Sequence, residues 1–215
     1  MGYAGDMSST IPAYKTFTAR QREIYEIQNR MHLESVKALR PGITFVEVYD
    51  LSARIMVEGL KQVGLMKGNA EDAVREGAHA MFDPHGLGHM MGLDVHDMEN
   101  LGEVWVGYDG QPKSTQFGRK SLRLGRTLEP GFVLTIEPGI YFIPELMDKW
   151  RADKKFMDFI NYDVAEPYKN FGGTRNEEDY LITSDGSRRP GQQNTLTPDQ
   201  VETLTTAPYT HCTLS

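Results

Sequence analysis

The chain has one cysteine in 215 residues, Cys212, which excludes an internal disulfide framework and fits a reducing compartment. It has no apolar run of membrane length, and its opening MGYAGDMSST is polar and glycine-rich, unlike a signal peptide. It has no long Lys/Arg run, and a formal net charge of −7 argues against nucleic acid as a partner. Internal repeats and low-complexity blocks are also missing. These absences leave a soluble, cytoplasmic globular protein as the expectation, with no membrane and no nucleic-acid partner. The length suffices for one large domain and does not demand a second.

What the sequence does have is concentrated in DPHGLGHMMGLDVHD, residues 83–97. This stretch holds three of the six histidines, His85, His89 and His96, and closes on Asp97. His32, His79 and His211 lack such surroundings and are expected at the surface. The methionine pairs Met90-Met91 and Met147-Met157 read as packing residues.

Around this segment the sequence mixes helix and strand patterns. Thr18-Ala19-Arg20-Gln21 has the form of a capping box, followed by Ile24, Ile27, Met31 and Ala38 at helical spacing. Pro41-Gly42 ends that helix, and Thr44-Phe45-Val46-Glu47 opens another that runs to Gly64, with Leu51, Ile55, Leu60 and Val63 inward. A third helix is predicted over 144–159. VLTIE (133–137), IYFI (140–143) and YLIT (180–183) read as strands. Residues 98–127 form a polar, glycine-containing excursion, and the stretch after Asp185 has turn and linker composition. The arrangement favours α+β over regular βαβ alternation.

Two strand candidates carry acids where strands usually carry core residues. Glu137 sits in VLTIEPGIY, where burial is costly unless the carboxylate is paired or bound to metal. Glu177 sits beside the next strand in GGTRNEEDYLIT, close to Arg175, and Asp6 follows the small residues of GYAGD. Each has a plainer reading: His89 as a structural histidine, Asp6 as a turn residue, Glu177 as a solvated acid. Together they offer one imidazole and three carboxylates, a set suited to Mn²⁺, Fe²⁺, Co²⁺ or Zn²⁺.

HGLGHMMGLDVHD, EPGFVLTIEPGIYF and GGTRNEEDYLIT occur in the order and spacing of the pita-bread metallopeptidases, and the chain resembles that family from GYAGD to about residue 187. Within it, the chain looks most like the prolidase and Xaa-Pro aminopeptidase branch, and GRKSLRLGRTLEPG (118–131) is prolidase-like in particular. The resemblance implies a pita-bread fold, a curved antiparallel sheet with helices on its outer face. It implies Asp6, His89, Glu137 and Glu177 as metal ligands, with Glu137 also a general acid/base. It implies His85 and His96 as substrate-facing catalytic groups, Arg175 as an arginine lining the site, and Arg123 as the grip on a dipeptide carboxylate. The implied reaction is metal-dependent cleavage, most readily with Mn²⁺, of the bond before proline in Xaa-Pro dipeptides. An aminopeptidase acting on longer peptides and a catalytically silent binding module are the alternatives. The family's first aspartate ligand, in an Asp-x-Gly strand, has no counterpart here. The expectation is therefore a C-terminal part of a catalytic domain over 1–187 with a tail over 188–215, one metal position in place of two, and weak activity alone. A homodimer is implied by the same resemblance, with a missing N-terminal half as a further possible partner.

Overall fold

The structure is a computed structural model and describes residues 3–193 and 196–206. Helix α1 (Ala19–Ala38) opens on Thr18, whose hydroxyl accepts from the Gln21 amide while the Gln21 side chain accepts from the Thr18 amide. The capping box read from the sequence is thus formed. Thr44 and Glu47 make the same reciprocal pair at the start of α2 (Phe45–Gln62). The two helices pack together through Ile24, Met31, Met56 and Leu60, all removed from solvent. A short helix not anticipated from the pattern, α3 (Ala70–Glu76), follows the Asn69 cap. The 98–127 excursion contains α4 (Glu103–Tyr108) and two 3₁₀ turns.

The strands are β1 (Val133–Ile136), β2 (Gly139–Phe142), β3 (Gly172–Arg175), β4 (Glu178–Ile182) and the two-residue β5 (Ser187–Arg188). β1 pairs antiparallel with β4, with Ile136 opposite Glu178, and β2 pairs antiparallel with β3, with Gly139 opposite Arg175. The same register runs through both pairs, so Glu137 falls opposite Glu177, and Pro138 opposite Asn176. Pro138 has no N–H to give, and the ladder breaks there. The result is one antiparallel ribbon interrupted where two glutamates face each other.

Period-two alternation then sorts the side chains. Leu134, Ile136, Tyr180 and Ile182 point into a core with Phe45, Val48 and Leu122. Thr135, Glu137, Glu177 and Asp179 take the other face. α1 lies across β1, β2 and β3 on the core side.

Several expectations give way here. His32 and His79 are fully buried, not exposed. His32 lies under the sheet, 3.1 Å from the Tyr180 hydroxyl and 3.3 Å from the Glu178 carboxylate, so that face has a polar partner for each. The His79 Nε2 is 2.9 Å from the Tyr49 hydroxyl. His211, like Cys212, lies outside the described residues. The third helix, α5 (Pro144–Ala152), stops early because Lys154 and Phe156 take left-handed backbone at φ 51° and 53°. That turn brings Phe156 edge-on to Trp150 and leaves Met157 about half exposed rather than packed. After the short α6 (Tyr162–Ala165), the segment following Asp185 is also more ordered than its composition suggests. It adds β5 to β4 and then forms α7 (Pro198–Thr206), which is tied to α1 by Arg22–Glu202 and by the Tyr25 hydroxyl donating to the Leu196 carbonyl.

Candidate metal centre

Four backbone segments lie side by side where the ribbon is interrupted. The histidine segment runs along β1: the amides of Thr135 and Glu137 donate to the carbonyls of His89 and Leu87. Gly88 permits this approach, since a Cβ there would stand 2.0 Å from the Thr135 carbonyl oxygen. On the far side of β4, Ser8 and Glu177 exchange both backbone hydrogen bonds. The Asp6 amide donates to Asp179, and Thr10 is bonded through its hydroxyl to the backbone of Arg175. Asp6, Glu177, Glu137 and His89 therefore come from neighbouring segments onto one face.

They meet in a polar cavity of about 440 Å³. His89 Nε2 is 3.4 Å from Asp6 Oδ2 and 3.5 Å from Glu137 Oε1. His89 Nδ1 is 3.0 Å from the Met90 carbonyl, which can only accept, so Nδ1 carries the proton and the Nε2 lone pair faces the space between the acids. Potential donor atoms of His89, Glu137 and Glu177 lie within 4.8 Å of one another, and so do those of Asp6, His89 and His96. His96 thus stands nearer the ligand set than the resemblance implies, its ring edge-on to His89 at 4.3 Å.

The electrostatics suit a cation. Burial, and then the facing Glu177 carboxylate, push the Glu137 pKa up to about 7. Burial also raises Glu177, against the hydrogen bond it accepts from Ser8 at 2.8 Å. Burial lowers His89, which favours the neutral, ligating form. Like charges directly across a ladder are destabilising, and the nearest guanidinium, Arg175, sits 3.3 Å from Glu137 alone. One neutral imidazole among three crowded carboxylates fits a divalent metal ion.

The other sequence candidates also reach the cavity. His85 lines it, its Nε2 3.1 Å from the Tyr141 hydroxyl and 3.3 Å from the buried Asp83 carboxylate. Arg123 lines it from the excursion and is ion-paired to Glu99. Sequence reasoning missed Ser8, Thr135, Asp179, Tyr141 and Asp83. Alternation from Glu137 and Glu177 points to Thr135 and Asp179, whereas nothing local marks Asp83.

A carboxylate-rich centre with a single buried imidazole, built on an interrupted antiparallel ribbon under two helices, defines a metal-binding protein of the pita-bread class. Residues 1–184 match the model of metallopeptidase family M24, and the chain belongs to that family. Human Xaa-Pro dipeptidase is 39% identical over 184 residues, which are 86% of this chain and 36% of the human protein. A probable Xaa-Pro aminopeptidase of Verticillium alfalfae is 36% identical over 185 residues, 86% of this chain and 38% of its own. Zinc-substituted Escherichia coli aminopeptidase P in complex with product shares the fold with a TM-score of 0.69 at 35% identity, over 94% of this chain and 38% of that one. The chain spans little more than a third of the length of these relatives.

Proposed function

We propose that this chain carries the metal centre of a hydrolase that cleaves the peptide bond before proline, with residues 1–187 as part of the catalytic domain. The observation that carries the reading is the convergence of Asp6, His89, Glu137 and Glu177 in one cavity also lined by His85, His96, Arg123 and Arg175. The four donors suffice for one ion, and manganese suits their oxygen-rich character. With this one set of four donors assigned, about one ion per chain is expected. When bound, such an ion supplies Lewis acidity to the scissile carbonyl and to the attacking water.

The chain's own groups supply the rest. Glu137 takes a proton from the water and returns it to the departing proline nitrogen. Arg175 holds the outer oxygen of Glu137 and leaves Oε1 toward His89. His96, which lines the cavity edge-on to His89, would donate to the oxygen that gains charge, and His85 lines the same cavity with its Nε2 held against Tyr141 and Asp83. Arg123 offers a planar fork to a C-terminal carboxylate, which favours dipeptides. The names of the relatives support both this dipeptidase reading and an aminopeptidase on longer peptides.

Glu177→Gln tests the centre. Elemental analysis after Mn²⁺ loading and removal of excess is expected to give about one ion per native chain, with affinity at least about tenfold weaker in the variant. Equal metal content in both proteins is the outcome that overturns the assignment. Turnover of an Xaa-Pro dipeptide is expected to fall with the metal. Unimpaired turnover by a metal-free variant would instead favour a role without metal.

A further inference from the structure

We propose that Glu99 is a specificity-determining residue, an internal carboxylate that occupies Arg123 and competes with the free carboxylate of a dipeptide. The inference rests on reading the cavity as a peptide site with Arg123 as its anion grip.

Glu99 opens the 3₁₀ turn Glu99–Leu101, three residues after His96, and the left-handed backbone of Met98 (φ 56°) directs that turn. Its carboxylate contacts Arg123 Nη1, and its side chain is only 20% exposed although the loop carrying it is at the surface. Arg123 and His96 both line the cavity, and Glu99 reaches it through its contact with Arg123. Among the described residues, Glu99 is the acid ion-paired to Arg123.

A guanidinium fork matches one carboxylate at a time in bidentate geometry. A competitor fixed in the same chain acts at a high effective concentration, in the millimolar range or above. A dipeptide whose C-terminal carboxylate needs Arg123 must displace Glu99. A peptide extended or amidated beyond proline has no carboxylate at that position and loses nothing. Glu99 therefore shifts selectivity from dipeptides toward longer peptides, against the preference Arg123 would set by itself.

The test is Glu99→Gln in the full chain loaded with Mn²⁺. Calorimetry would measure binding of an Xaa-Pro dipeptide analogue with its scissile amide reduced, and of the same analogue amidated at its C-terminus. The pair is partly exposed, so its loss is expected to tighten the free-acid analogue about three- to fivefold and leave the amide unchanged. If both ligands bind and their affinity ratio is the same in wild type and variant, the role of Glu99 is overturned while the peptide-site reading stands. If neither ligand binds either protein at equal metal content, the peptide-site reading fails and the role of Glu99 with it.

Discussion

His79 is buried against Tyr49, and burial, reinforced by the nearby charge of Arg119, pushes its pKa down to about 4. A histidine whose folded pKa lies below its free value near 6.5 stabilises the fold fully only above that value. The contribution is lost as pH falls from about 6.5 to about 4 and is on the order of 3 kcal/mol. Asp83 works in the opposite sense, since burial raises it to about 6 and its ionisation costs stability as pH rises. The two overlap in the wild type. His79→Gln keeps an acceptor for Tyr49 and isolates the histidine. In urea titrations, the stability gap between wild type and this variant is expected to narrow as pH drops from 6.5 to 4. A gap independent of pH would show that His79 in the fold takes up its proton near the free value, so that its burial does not lower its pKa. None of this burial is legible in the sequence, because His79 and His32 have unremarkable neighbours, and only the packing of α2 and the sheet removes them from water.

At the scale of elements, the helix starts were the most readable features. Thr18 and Gln21, and Thr44 and Glu47, satisfy orphan amides through side chains three residues apart, so a local pattern fixes them. Thr18→Ala is expected to destabilise by about 1 kcal/mol in chemical denaturation, with an unchanged slope because the exposed surface is the same. An effect near zero would mean that contacts with α7, and not the cap, hold this end of α1. Helix ends were less readable. α5 stops where Phe156 turns back onto Trp150, a tertiary contact that overrides the helical pattern continuing to residue 159. α7 escaped notice because its nine residues carry few apolar positions and gain their order from Arg22 and Tyr25 on α1.

For the molecule as a whole, burial makes the charged forms of Glu137 and Glu177 costly, and a divalent ion held by them would offset that cost. Mn²⁺ is therefore expected to raise the unfolding temperature, with a stabilisation that grows with the logarithm of its free concentration above Kd. Glu137 must be ionised to act as a ligand, and its pKa is about 7. Manganese affinity is thus expected to weaken as pH falls below 7, since protons then compete for the same oxygens. Thermal scans at several Mn²⁺ concentrations and pH values would read both effects. A shift of equal size at pH 5.5 and 8 would place the ion elsewhere. Among the described residues, no helix is long and apolar enough to cross a membrane.

The sequence by itself determined the residue types of the candidate centre, their order, both helix caps and the strands that flank Glu137 and Glu177. These follow from local chemistry: caps act over three residues, strand alternation over two, and a lone glutamate in an apolar run has few structural uses. Tertiary structure alone decided which neighbour faces which side. The run Glu177-Glu178-Asp179 offers three acids, and only the register against β1 sends Glu177 to the cavity, Asp179 to the same face under the Asp6 amide, and Glu178 to His32. Only the fold brings Ser8 to Glu177 across 169 residues and sets Glu99 on Arg123. The physical reason is range. Hydrogen-bond ladders and charge pairs act over a few ångströms in space, and a sequence records separation along the chain.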